Sequence, residues 1–422
     1  MLRDVPIPPP EALTPRARAN AYPHFSDAAR RILDAAAEQP RPSFDPDALT
    51  ATARAQTGLS DFGDAPLVAP LSILCRALCD EVELHALGAH YAHRQIIGLL
   101  STRLRLVDLW KRRPEILGIP VERPLIIIGL PRSGTTILHK LLGQDPMRRR
   151  SPFWEQVMPL PIGETPPGGA DPRIAMAQAS IDTLYTLAPE FLSAHEITVD
   201  EPDEDIIQLI YGFASKQFEW SYVVPSYVRH YREADHTIGY QWFKRVLQTS
   251  QFLRPGASRW VLKAPQHLEH LEALTQAFPD AILIQTHRDP ADAVISLASM
   301  TCCGQRRYFD HPNPHFAGAN MADIVERLLR KGEESRARLT QPIIDIPFDA
   351  FRQDQIGCVK HIYAVAGDAL SAQAEARMTA WIAANRMQKH GAHDYAAEDV
   401  GLSLADLQRR FAFYRPRFEA RT

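Results

Sequence analysis

The chain has 422 residues, 45% hydrophobic and 23% charged, the balance of an ordinary soluble globular protein, which excludes disorder, collagen and coiled coil as the overall class. With 47 basic against 50 acidic residues the net charge is −3, so no global basic field favours nucleic acid or an anionic membrane. The five cysteines are odd in number and contain no C-x-x-C pair, which fits neither a disulfide framework nor a zinc site and makes a reducing cytoplasm the expected compartment.

The N-terminus, MLRDVPIPPPEALTP, has no apolar core of a secretory signal, and no apolar stretch approaches the ~20 residues of a membrane span. Residues up to about 23 are Pro-rich and read as an irregular arm. Ser26 can cap an Ala-rich helix to Gln39, and Asp45-Pro46 opens another that stops at Thr57-Gly58. From Leu71 to Trp110 apolar residues recur at helical spacing, with Gly88 and Gly98 as expected breaks or bends.

At Pro124 the pattern changes. Leu-Ile-Ile-Ile (125–128) is apolar without alternation, as in a strand buried on both faces. A glycine-containing turn and an amphipathic helix, Thr135–Leu142, follow it. Further strands are expected at Trp260–Lys263, Ala281–Thr286 and Ile343–Ile346. Gln266–Phe278 reads as a helix between the first two of these, and Pro159–Gly169 as a surface loop. Strands alternating with helices mean a mostly parallel sheet covered on both sides. The expected domains are an all-helical N-terminal extension over 1–120 and an α/β domain over 121–422, with a helical insertion at about 150–255.

The segment Gly129-Leu-Pro-Arg-Ser-Gly-Thr-Thr136 joins a buried strand to a helix. Such a turn presents backbone N–H groups at a helix N-terminus, where the macrodipole also favours an anion. The Walker A loop of ATP-using kinases needs Lys directly after its last Gly; here Thr135 follows Gly134, and the cation, Arg132, lies inside the loop. The full string resembles the 5′-phosphosulfate loop of sulfotransferases that use 3′-phosphoadenylyl sulfate (PAPS). The resemblance implies a P-loop-NTPase-like fold. It also implies that Arg132, with Ser133, Gly134, Thr135 and Thr136, contacts the phosphosulfate.

The segment Ala281–Pro290 is a strand running into a helix start, with Asp289 as N-cap and Pro290 as first helical residue. Arg288 ends the strand and Ser296 follows eight residues later. In parallel sheets ligands gather at the carboxyl ends of strands, so Arg288 and the loop at 129–136 can face one crevice. Arg-(x7)-Ser resembles the sulfotransferase 3′-phosphate motif. A pairing of Arg288 with Asp289 or Asp292 is the competing reading. The cationic strand end, Thr286-His287-Arg288, argues against the magnesium-binding Asp of an ATPase, and the family resemblance implies no metal.

The resemblance is closest to bacterial sulfotransferase family proteins with a helical N-terminal extension. It implies a transition-state role for Lys263, in Trp260-Val-Leu-Lys-Ala-Pro, beside Arg132. A cover for the 3′-phosphate is expected from Lys389 and His390, a solvated helix end being the other reading. Two residues compete as the base that takes the acceptor's proton. Glu155 lies beside Trp154, which would desolvate it and raise its pKa; an ion pair with Arg148, Arg149 or Arg150 is the competing reading. His195 is the rival. The acidic run Asp200–Asp205 reads as charge around a helix N-terminus rather than a metal site.

The function these readings imply is transfer of a sulfuryl group from PAPS to a hydroxyl of a small molecule, lipid or glycoside. An ATP-dependent kinase and a non-catalytic sensor of adenosine 3′,5′-bisphosphate are the alternatives. A homodimer is compatible with the sequence.

Overall fold

In the computed structural model, which describes residues 5–163, 169–385 and 394–419, five strands form one sheet. The N-terminal half-domain is helical, as its periodicity predicts. Ser26 caps the helix Asp27–Ala37 by accepting from Ala29 N at 3.2 Å, and Gly58, at φ 70°, closes the helix Pro46–Thr57. Two details differ from expectation. The Pro-rich arm contains a short helix, Pro15–Ala21, because the Thr14 hydroxyl accepts from Ala17 N at 3.1 Å. The run from Leu71 to Trp110 breaks at residues 81–85 and not at a glycine, because His85 Nδ1 accepts from Gly88 N at 2.9 Å and starts a new helix, α1 (Ala86–Arg112). Gly88 lies inside α1 and serves a close approach: a Cβ there would stand 2.4 Å from the Tyr308 carbonyl oxygen.

Next come β1 (Leu125–Ile127), α2 (Thr135–Leu142), β2 (Arg148–Arg149), α3 (Phe153–Val157), β3 (Arg259–Lys263), β4 (Ile282–His287), α4 (Pro290–Gly304) and β5 (Ile343–Pro347). The strand order is β2-β3-β1-β4-β5, with every pairing parallel. The four expected strands are present within a residue or two; β2 carries two arginines and no apolar signal. Leu125 and Ile127 point to one face, into a core with Leu138 and Ile362. Ile126 and Ile128 point to the other, against Leu247, Leu274 and Leu297. Each fully buried side chain of this kind stabilises by roughly 1.5–3 kcal/mol, which is why the run lacks polar alternation. A third core is shared: Leu74, Leu100 and Leu104 of the N-terminal helices pack with Tyr211, Phe218 and Trp242 of the insertion.

The order places β1 between β3 and β4, so the loops leaving β1 and β4 are neighbours. Their approach is close. A Cβ on Gly129 would stand 1.9 Å from Thr286 Oγ1 and 2.9 Å from Thr286 N, so only glycine fits there.

The helix after β1 is tied back to β3 through His139, whose Nε2 lies 3.0 Å from the Val261 carbonyl oxygen. Burial, with Lys263 nearby, pulls His139 down to about 3 from 6.5. The folded chain therefore holds this imidazole neutral while the unfolded chain protonates it. Its contribution to stability is full above pH 6.5 and is lost as the pH falls toward 3. Urea unfolding of His139→Gln between about pH 6 and pH 4 is expected to show a shallower loss of stability than the parent, by up to about 1.4 kcal/mol per pH unit, one proton's worth.

Candidate active site

The loop from Gly129 to Thr136 owes its shape to two residues in the left-handed region, Arg132 at φ 67° and Gly134 at φ 85°. For glycine this is free of strain; for arginine it is held by neighbours. Arg288 Nη1 donates to the Arg132 carbonyl at 2.7 Å. The Arg132 guanidinium in turn donates from Nε to Ser296 Oγ at 3.0 Å and from Nη1 to the Ala194 carbonyl. Thus the structure brings Arg132 together with Arg288 and Ser296, from two distant parts of the chain, at one edge of the sheet.

Burial disfavours the charge on Arg132, and Arg288 beside it adds to that penalty. No carboxylate forms a salt bridge with Arg132 among the described residues. Arg288 reaches Asp292 only at 3.6 Å and lies over the Phe348 ring at 5.0 Å. No side chain caps α2, so its first-turn N–H groups are open to a ligand. Two cations and an uncapped helix start on one wall make a site for an anion with more than one charged group.

The wall belongs to a cavity of about 1480 Å³, lined by Arg132, Gly134, Thr135, Thr136 and Arg288 at this end. That exceeds the ~300–1,000 Å³ of a single small-ligand pocket and leaves room for two reactants. Ser133 and Ser296 do not line it. Ser133 Oγ turns inward, donating to the Leu130 carbonyl at 2.5 Å and lying 2.6 Å from Thr286 Oγ1, and Ser296 is fully buried under Arg132. Both position the loop.

Lys263 ends β3 as expected, but its ammonium is buried. Nζ lies 3.0 Å from Glu204 Oε1 and 3.5 Å from Thr136 Oγ1, just beneath the cavity wall. The acidic run stands directly ahead of the helix Ile206–Leu209, at the helix N-terminus where the sequence reading puts it. That helix has no side-chain cap, and each carboxylate serves a different cation or donor. Asp203 pairs with His195 Nε2 at 3.2 Å and Glu204 with Lys263. Asp205 accepts from Lys263 N at 2.6 Å and lies 3.2 Å from His267 Nε2. Burial pushes the Asp203 carboxyl up, but His195, Lys263 and Lys140 outweigh it and hold it far below the usual carboxylate range. Burial raises Asp205.

Of the two candidate bases, the structure brings His195 to the cavity and leaves Glu155 outside its lining. The Glu155 carboxylate is buried and takes two hydrogen bonds from Arg254, from Nη2 at 2.7 Å and from Nε at 3.2 Å. An ion pair is right in kind but not in partner. Arg148 pairs with Asp368 and Arg150 with Glu201, while Arg149 donates to the Ser250 carbonyl at 2.6 Å. The neighbouring Gln156 has the closer link to the site: its Oε1 accepts from Asp203 N at 2.9 Å. Sequence reasoning passed over Gln156, Asp203 and Glu204; an acidic run beside a histidine eight residues away was the available signal. Lys389 and His390 lie outside the described residues.

A family model described as "Sulfotransferase family" matches residues 124–371. Sulfotransferase STF9 from Mycobacterium avium is 28% identical at a TM-score of 0.77, covering 91% of this chain and 99% of its own. Sulfotransferase STF1 from Mycobacterium tuberculosis H37Rv is 29% identical at a TM-score of 0.73, covering 87% of this chain and 98% of its own. No curated protein sequence matches the chain. The family match spans more than half of the residues, and the chain belongs to the sulfotransferase family.

The Lys263–Glu204 pair tests the charge arrangement independently of chemistry. Lys263→Met strands Glu204 beneath the wall and is expected to destabilise by about 3–5 kcal/mol in urea unfolding. Adding Glu204→Gln should recover much of that loss. Strict additivity of the two changes would show that the ion pair is absent in solution.

Proposed function

We propose that this member of the sulfotransferase family moves a sulfuryl group from PAPS to a hydroxyl of a small-molecule, lipid or glycoside acceptor, in the cytoplasm. The observation that carries the reading is the 2.7 Å hydrogen bond from Arg288 to the Arg132 carbonyl, which makes both anion-binding segments parts of one wall. PAPS carries a 5′-phosphosulfate and a separate 3′-phosphate, so it needs two such segments. The N–H groups at the start of α2, with Thr135, Thr136 and Arg132, would hold the phosphosulfate. Arg288 would take the 3′-phosphate, and Ser296 would keep Arg132 aimed.

Transfer is an in-line displacement at sulfur. The acceptor oxygen forms a bond to sulfur as the bond from sulfur to the bridging oxygen breaks, and adenosine 3′,5′-bisphosphate leaves. Charge that develops on the bridging and sulfuryl oxygens is met by Arg132 and by the field of Lys263 behind Thr136. The acceptor's proton goes to His195. With Nε2–H directed at Asp203, the imidazole keeps Nδ1 as the proton acceptor, and Asp203 stabilises the cation that forms. Arg132 donates to the carbonyl of Ala194, the residue before His195, so base and anion loop are tied together. A kinase reading is disfavoured by Thr135 in place of the Walker lysine and by the cationic end of β4.

Calorimetry without metal is expected to show adenosine 3′,5′-bisphosphate binding at least about tenfold more tightly than adenosine 5′-monophosphate, as charge-assisted bonds to a second phosphate supply. Arg288→Ala should erase that preference; a preference that survives would move the 3′-phosphate elsewhere. In turnover assays, His195→Asn is expected to lose about 10²–10⁴-fold with nucleotide affinity intact, and Glu155→Gln to stay active. The opposite pattern returns the base to Glu155. A parent chain that binds the bisphosphate yet sulfates no acceptor favours the sensor.

A further inference from the structure

The cavity has a second cationic end, remote from the nucleotide loop. Helix α4 connects the two. Ser296, Met300 and Gly304 recur every four residues on one face of it, from the contact with Arg132 along the cavity wall. The 3₁₀ turn Gln305–Arg307 then continues the helix and delivers Arg307 to the lining. Helical rise puts Arg307 roughly 18 Å from Ser296 along the axis. The lining also includes the apolar side chains of Leu184, Ile206, Ile210 and Met300.

Arg307 is partly buried, and its Nε is shut off from solvent with no hydrogen-bond acceptor. Among the described residues no carboxylate forms a salt bridge with it. Its guanidinium carbon lies 5.2 Å from the Tyr91 ring centre and 5.8 Å from that of Tyr308. Arg94, exposed on α1, lies 5.5 Å from the same Tyr91 ring. The Tyr308 hydroxyl is the neutral partner of Arg307, so among the described residues the buried charge lacks a counter-ion, and a ligand carboxylate would supply one. The planar guanidinium fork matches a carboxylate in two-point contact.

We propose that the acceptor is an amphiphile with an apolar body, a hydroxyl at the nucleotide end and a carboxylate bound by Arg307, with Arg94 assisting. This rests on the sulfuryl-transfer reading for the hydroxyl end; the carboxylate end stands on Arg307 itself. Arg307 thereby sets which hydroxyl reaches His195, because a carboxylate anchored at one end fixes the depth of the other.

The test is calorimetry of dodecanoate against methyl dodecanoate on the full chain, with and without saturating adenosine 3′,5′-bisphosphate. Neither probe carries a hydroxyl, so no turnover is needed. The acid is expected to bind at least about tenfold more tightly than the ester. Arg307→Gln should abolish the preference while nucleotide affinity stays within about twofold. Should that variant fail to fold, Arg307→Lys supplies the comparison, keeping the preference but weakening acid binding severalfold. Equal binding of acid and ester by the parent chain, or a preference untouched in Arg307→Gln, overturns the proposal. Failure to bind the bisphosphate, with the acid preference intact, would instead overturn the sulfuryl-transfer reading.

Discussion

A single backbone carbonyl organises the catalytic edge. Arg132 sits in a left-handed conformation that an arginine adopts only when its surroundings insist, and Arg288 supplies the insistence by binding its carbonyl oxygen. The same residue's guanidinium is then free to cross the cavity wall to Ser296 and Ala194. One residue therefore ties together the ends of β1 and β4, the middle of α4 and the segment that carries His195. Gly129 belongs to the same constraint, because the two strand ends approach so closely that no side chain fits between them.

Around this anchor the ionisable groups are sorted rather than clustered. Asp203, Glu204 and Asp205 are consecutive, yet they face His195, Lys263 and His267 respectively. Consecutive carboxylates in irregular backbone splay apart, so three neighbours in sequence serve three partners in space. The arrangement leaves Arg132, among the described residues, without a salt-bridged carboxylate. A carboxylate closer to Arg132 would neutralise the cationic wall that it forms with Arg288.

How much of this was legible depends on whether the signal was local. The strands β1, β3, β4 and β5 announce themselves by unbroken apolar runs, and the caps Ser26, Asp45 and Asp289 by residue type. The pairing of the glycine turn with Arg288 was inferable, since both lie at carboxyl ends of parallel strands. β2 was not, because a two-residue edge strand of arginines has no apolar period. The ion partner of Glu155 was hidden for a related reason. A Trp beside a Glu suggests a desolvated acid, but the partner that decides its fate, Arg254, is 99 residues away. Charge around a helix N-terminus describes where Asp203 and Glu204 stand, but not their partners, His195 and Lys263. Arg307 carries no local sign at all, since its want of a carboxylate partner shows only in three dimensions.

The N-terminal helices are an extension only in the linear sense. Their leucines share one interior with the aromatic residues of the insertion, and α1 contributes Tyr91, Arg94 and Gln95 to the cavity. Gly88 presses α1 against the Tyr308 backbone, next to Arg307. Trimming the chain to the segment that the family model recognises would therefore remove one wall of the cavity and bare the apolar side of Tyr211, Phe218 and Trp242 to solvent.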